Sequence, residues 1–265
     1  MQERSELDAA LRLLDQGRPA EALEALRGLD PADPDVALCE AHARLELLEE
    51  RACRASLDRA LTEPAEADPD WLYLAAELDF RCWRLDAART AFEALLALEP
   101  TPEVLDRLAR LADMSGDEAL AAGYDERLAA LDPDSAPLAD SLSDEDFDSV
   151  LERAIAALPL VYRETLAGAE LIVAPYPERE LCAPGLEIET PPDLLGLFVG
   201  ATQLDRAEDG GHLVPTSLIY VFQRNLERAV SSTSELEEEA RITLYHELGH
   251  LLGHDEEGVE ELGLA

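Results

Sequence analysis

Three of the chain's five histidines fall within nine consecutive positions, in the run Tyr245-His246-Glu247-Leu248-Gly249-His250-Leu251-Leu252-Gly253-His254. On an α-helix, residues four apart lie about 40° apart around the axis and roughly 6 Å along it. His246 and His250 can therefore turn one imidazole each towards a single metal ion. Glu247, about 100° round the helix from His246, can hold a metal-bound water and take its proton. The chemistry this spacing supports is hydrolysis by a zinc-activated water.

Zinc in such a site needs a third protein ligand, with water in the fourth place. His254 cannot supply it from the same straight helix, because it would stand about 12 Å from His246 along the axis while metal–nitrogen bonds are only about 2 Å. The chain must turn first, and Gly253 suits a left-handed exit from the helix. Beyond it lie the carboxylates Asp255, Glu256, Glu257, Glu260 and Glu261. Glu256, three residues past the glycine, is the expected third ligand, with Asp255 and Glu260 as alternatives. His254 is expected to support the site from behind or to lie at the surface.

These side chains need a helix to carry them. Leu236, Ala240, Leu244, Leu248 and Leu251 recur at helical spacing, so the motif sits on an amphipathic helix. Ser234 and Glu237 have the spacing of a capping box and are expected to open it. Upstream, an amphipathic helix runs from Phe147 to Pro159, with Ser143 and Asp146 placed to cap it. Strand-like runs follow at Leu171–Val173, 194–200 and Leu218–Phe222, and prolines at 175, 177, 184, 191 and 192 break the first interval into loop. Asp209-Gly210-Gly211 reads as a turn, with His212 as a loop histidine.

With these features, residues 138–265 resemble the bacterial zincin-like metallopeptidase family, a minimal zincin domain. The likeness rests on the Leu-Pro that ends the first helix, Tyr162-Arg163, the three apolar runs, the His-Glu-x-x-His helix and the Glu-Glu-Leu-Gly tail at 260–263. That family usually has Asp where this chain has Glu256, a conservative departure for a zinc ligand. The resemblance implies zinc as cofactor, Glu247 as general base, and a sheet-edge strand that pairs with extended substrate. Either Leu218–Phe222 or Leu194–Val199 could be that edge.

The first half has a different rhythm. Pro31, Pro64, Pro100 and Pro133 each close an apolar helical stretch, at intervals of 33, 36 and 33 residues. Within the units a short turn precedes a second, alanine-rich helix, as at Gly17–Leu23, Arg84–Ala88 and Ser115–Leu120; Glu50–Cys53 fits less well. This period resembles tetratricopeptide repeats, in which stacked helix pairs close a core that one pair cannot close alone. The resemblance implies a surface that recruits a protein or peptide. Trp71, Tyr73, Phe80, Trp83 and Phe92 cluster in the third unit and are expected to be mostly core.

The expected fold is therefore multidomain: an all-α helical-repeat array over 1–137, then a small α+β domain over 138–265, joined by a Ser/Asp-rich linker. The chain carries 59 acidic and 21 basic residues, every basic one an arginine, for a net charge of −38. Such a surface repels nucleic acid and anionic lipid and attracts basic or unstructured polypeptides; adaptation to a saline cytoplasm would give the same composition. The charged start lacks the apolar core of a signal peptide, and no apolar run approaches membrane-spanning length. Cys39, Cys53, Cys82 and Cys182 lack metal-ligand spacing and are expected as reduced thiols in a cytoplasmic protein. The expected function is a zinc metallopeptidase, an endopeptidase whose repeats recruit or gate a protein substrate. The alternative is a non-catalytic interaction module with a structural or vestigial zinc site.

Overall fold

The computed structural model describes residues 2–61, 68–133, 137, 141–179, 181, 190–200, 202, 217–254 and 258. The chain forms two compact units: Met1–Arg127 with Arg179–Pro192, and Leu128–Glu178 with Asp193–Ala265. Relative to the boundary expected at 138, the segment 179–192 belongs with the helices of the first half.

Among the described residues the first half holds eight helices: α1 (Gln2–Leu14), α2 (Pro19–Leu26), α3 (Pro34–Glu46), α4 (Glu50–Ala60), α5 (Pro69–Arg81), α6 (Leu85–Leu98), α7 (Pro102–Met114) and α8 (Glu118–Leu131). They form four successive hairpins. Proline marks the openings as well as the ends. Pro34, Pro69 and Pro102 occupy the first helical turn, where a missing N–H costs nothing. The residue before each is the N-cap: Asp33 and Asp68 accept from the amides of Asp35 and Asp70, and Thr101 from that of Val104.

The turn inside each hairpin repeats at the level of the backbone. Gly17, Leu48, Trp83 and Gly116 hold φ of 69°, 56°, 59° and 79° at equivalent places. In each turn the next residue's amide bonds back five residues, Arg18 to Leu13, Glu49 to Arg44, Arg84 to Asp79 and Asp117 to Ala112. This left-handed exit satisfies the last carbonyls of the first helix. The second hairpin, irregular in sequence, has the same turn because Leu48 does what glycine does in the first.

The cores overlap along the series. One joins Ala10 and Leu14 of α1 to Ala22 and Leu26 of α2 and to Val36 and Cys39 of α3. Another joins Leu45, Leu57 and Leu78 of α3, α4 and α5. A third joins Phe80, Phe92 and Leu108 of α5, α6 and α7. Each hairpin thus buries its apolar face against its successor, as a stacked array requires. Phe80 and Phe92 are fully buried, Tyr73 packs edge-on to Phe92, and the Trp71 indole donates to the Leu57 carbonyl at 2.8 Å. The aromatic cluster is mainly core, as its setting suggested.

Cys39, Cys53 and Cys82 are free thiols; Cys182 lies outside the described residues. Burial pushes the thiols up to about 11, about 12 and about 11 respectively. Since the folded value lies above the unfolded one, the neutral thiols add stability below about pH 8.5 that is lost as the pH climbs through 11 to 12. Native protein at pH 8 should therefore react with a thiol reagent at least about a hundredfold more slowly at Cys39, and more slowly still at Cys53, than unfolded protein does. Equal rates would show that these thiols are not shielded.

The second unit contains α9 (Asp144–Ala157), α10 (Leu160–Leu166), β1 (Glu170–Ala174), β2 (Gly196–Val199), β3 (Leu218–Phe222), α11 (Gln223–Arg228) and α12 (Thr233–Leu252). The strand order is β1-β3-β2, with β1 parallel and β2 antiparallel to β3. Phe147, Val150, Leu151 and Ala154 from α9, Ile219 and Val221 from β3, and Leu236, Ala240, Leu244, Leu248 and Leu251 from α12 form the core. The stripe read from the sequence is thus the buried face of α12. The expected strands are present; the turn at Asp209–Gly211 and His212 lie outside the described residues.

Ser143 caps α9 as expected, accepting from the Asp146 amide at 3.2 Å and donating to its carboxylate at 2.7 Å. The cap of α12 is Ser232, not Ser234. Ser232 and Glu235 have the same spacing as Ser234 and Glu237, and the earlier pair gains extra bonds: Glu235 accepts from the amide and hydroxyl of Ser231 at 2.9 and 2.8 Å. Glu237, freed from capping, pairs with Arg153. Buried Glu227 ties the entry of α9 to α11, accepting from the Ser141 hydroxyl at 2.8 Å, the Leu142 amide at 3.0 Å and the Gln223 amide group at 2.8 Å. No helix among the described residues is long and apolar enough to cross a membrane.

Candidate metal centre

Helix α12 brings His246 and His250 together. Their Nε2 atoms stand 3.1 Å apart, with the rings nearly perpendicular at 80°. Two nitrogens sharing one tetrahedral zinc at about 2.0–2.1 Å would lie about 3.3 Å apart. The pair therefore fits the ion.

The second nitrogen of His250 fixes which atom is offered. Its Nδ1 lies 3.0 Å from the carbonyl oxygen of His254. A carbonyl only accepts, so Nδ1 carries the proton and Nε2 keeps its lone pair for a metal. Gly253 makes this contact possible. It leaves the helix at φ 103°, ψ 14°, and the His254 amide bonds back to Gly249 at 3.1 Å. The glycine performs the expected turn, and His254 supports His250 through its backbone while its side chain is exposed.

Glu247 is 7% exposed, and its Oε2 accepts from the backbone amide of Phe198 in β2 at 2.6 Å. The strand approaches α12 closely because residue 196 is glycine. A Cβ there would stand 2.6 Å from Thr243 Cγ2, 3.1 Å from Glu247 Cγ and 3.2 Å from Glu247 Oε1. Sequence reasoning missed Gly196 and Phe198; an isolated glycine in a strand-like run was the available signal. Gly196→Ala should cost about 2 kcal/mol by overpacking, read as a lower denaturant midpoint, and Thr243→Ser in the same chain should recover part of it. An unchanged midpoint would mean the strand does not rest on the helix this way.

The register also shows which of the described strands lies at the edge. The Phe222 amide donates to the Leu195 carbonyl at 2.9 Å. With Leu197 opposite Tyr220 and Val199 opposite Leu218, these are the hydrogen-bonded pairs, so Gly196 and Phe198 turn their backbone groups away from β3. Among the described strands Leu218–Phe222 is central and cannot be the edge; β2 is the edge strand beside Glu247.

Glu256, expected as third ligand, and its alternatives Asp255 and Glu260 lie outside the described residues. Among those described, no three His, Cys, Asp or Glu side chains converge as a metal site. Tyr245 stacks on Tyr162 with centroids 4.0 Å apart. Burial, with a hydrogen bond to Tyr245, pushes the Tyr162 phenol up to about 12. Arg241 pairs with Glu238. Both neighbours of the motif are occupied in packing and ion pairing.

Residues 166–264 match the family model described as zincin-like metallopeptidase, which leaves α1 to α9 and all but the last residue of α10 outside the match. No curated protein matches the chain. The match covers β1, β2, β3 and the whole of α12, the elements that build the site. It supports zinc hydrolase chemistry for this part of the chain.

Proposed function

We propose that the chain is a zinc-dependent endopeptidase of the cytoplasm that cleaves polypeptide held against the β2 edge. The observation that carries this reading is the joint placement of the two converging Nε2 atoms and a buried carboxylate fixed by the edge strand itself. His246 and His250 would hold the ion, with Glu256 as the third ligand. Bound zinc would polarise the scissile carbonyl and bring the pKa of a water to about 7. Glu247 would take a proton from that water and return it to the leaving amine. Its hydrogen bond from Phe198 holds one oxygen in place, which orients the other.

The open edge of β2 favours an extended substrate. Gly196 and the Phe198 carbonyl turn away from β3, the Phe198 N–H being held by Glu247, and pairing of this kind binds a strand largely irrespective of side chains. Stacked hairpins resembling tetratricopeptide repeats suit recruitment of that polypeptide, and the charge of −38 favours basic or unfolded chains over nucleic acid and anionic membrane. An unfolded, lysine-rich protein incubated with the enzyme should yield new termini by mass spectrometry. A zinc chelator should slow their appearance at least about a hundredfold, and added zinc should restore it. Cleavage indifferent to chelation would overturn the metal-dependent reading. No new termini from a broad set of polypeptides, despite bound zinc, would favour the alternative of a non-catalytic module with a structural zinc site.

A further inference from the structure

Strand β1 lies on the far side of β3 from β2, and its outer edge is open. The Glu170 amide donates to the Ser217 carbonyl at 2.9 Å, with Glu170 opposite Leu218. In a parallel pair alternate residues bond to the neighbour. Glu170, Ile172 and Ala174 therefore face β3, while Leu171 and Val173 turn their N–H and C=O groups outward. Among the described residues nothing bonds to those four groups. Proteins usually blunt such an edge with a charge or a proline. Here Glu170 and Pro175 stand at the ends and leave Leu171-Ile172-Val173 clear, with Val173 38% exposed.

A groove of about 520 Å³ adjoins that edge, lined by Val173 and Ala174 of β1, by Asp144 and Asp148 of α9 and by Arg224 of α11, among others. Val173 lies opposite Val221, and Val221 shares a core with Phe147 and Val150 of α9. Val173 therefore stands on the sheet face that carries α9. Residues paired across a sheet share a face, so a strand added to β1 would turn the residue opposite Val173 towards α9. Asp144 and Asp148, one turn apart, are exposed there and make no ion pair among the described residues. Asp146 between them is engaged by Ser143, and the charge of Arg224 is met by Glu227 at 3.3 Å. Acids in a first helical turn suit the helix dipole, which accounts for Asp144. Asp148 lies beyond that turn, and the helix has no such use for it.

We infer that the β1 edge is a second polypeptide-binding site, which takes an extended segment with basic residues at alternate positions. Backbone pairing with Leu171 and Val173 holds the segment. Val173 covers the stem of a lysine or arginine, and Asp144 and Asp148 meet its charge. A second copy of the chain is a poor occupant, because each copy carries a net charge of −38 and would bring like charges together. The site requires neither zinc nor Glu247, so it stands apart from the proposed hydrolysis.

The probe is a fluorescent peptide that alternates lysine with threonine, and its control alternates glutamate with threonine. Binding to the full chain is followed by anisotropy, with the peptide checked as intact by mass spectrometry. The lysine peptide should bind and slow hydrogen exchange over residues 170–175; the glutamate peptide should do neither. Val173→Pro keeps the net charge and the ladder to β3, since the lost N–H points outward, yet it removes a donor and fills the edge. It should weaken binding at least about tenfold. Asp144→Asn combined with Asp148→Asn should weaken it about fivefold. Equal affinity of the wild type and Val173→Pro would show attraction to the general negative charge alone and overturn the site. Should Val173→Pro lower the denaturant midpoint, exchange in the wild type decides: no slowing over 170–175 at saturating lysine peptide would overturn the site. Dimerisation of the wild-type chain that is lost in Val173→Pro would assign the edge to a second copy and overturn the basic partner. None of these readouts needs zinc or turnover, so their failure would leave the reading of Glu247 untouched.

Discussion

Glu247→Gln should purify with the wild-type complement of zinc and cleave polypeptide at least about a thousandfold more slowly. The substitution is nearly isosteric, and the glutamine carbonyl oxygen can still accept from the Phe198 amide, which the carboxylate does at 2.6 Å. The edge strand therefore stays seated, and His246 and His250 keep their arrangement. What disappears is the ability to take a proton. A positioned general base is worth about 10²–10⁴ in rate, and here the same group is asked to return the proton to the leaving amine. The measurement is the rate of new-terminus formation at matched zinc occupancy, with the denaturant midpoint as a check on folding. Turnover within tenfold of wild type would remove Glu247 as the base.

The residues of this site differ in how far the sequence announced them. His246, Glu247 and His250 were legible because helical geometry alone fixes their relation, and the leucine stripe showed that a helix was there. Gly253 was legible for a related reason: a left-handed C-cap has a strong residue preference, and the observed φ of 103° meets it. The start of the same helix was misplaced by two residues because Ser232 and Ser234 both have a glutamate three positions on. Only the folded chain shows that the earlier pair gains the bonds to Ser231.

Gly196 and Phe198 escaped because their roles exist only where a strand and a helix distant in sequence come together. The close approach that excludes a Cβ at 196 is a tertiary fact, and the Phe198 amide carries no side-chain signal at all. Strand order was hidden for the same reason. Nothing local distinguishes a central Leu218–Phe222 from an edge one, since its pairing with both neighbours depends on partners remote in the chain. In the first half, the proline rhythm reported the hairpins, and Gly17 and Gly116 reported two of the four turns. Leu48 and Trp83 concealed the other two by adopting a conformation their residue types disfavour. Glu227 was equally invisible, one buried acid in a chain with 59 acidic residues.

Zinc binding by α12 is tested most directly by metal content. The wild-type chain, purified without chelators, and His246→Ala would be compared by elemental mass spectrometry at known protein concentration. Two Nε2 atoms 3.1 Å apart, with His250 locked in the right tautomer by the His254 carbonyl, leave little to reorganise when the ion binds. The wild type should carry about one zinc per chain, as a site with protein ligands and an open water position does. Removing the His246 imidazole should weaken binding at least about a hundredfold, a larger loss than that of an outer-sphere partner, and the variant should emerge essentially free of metal. A wild-type chain that neither carries zinc nor takes it up on titration would contradict the account, as would equal zinc in His246→Ala.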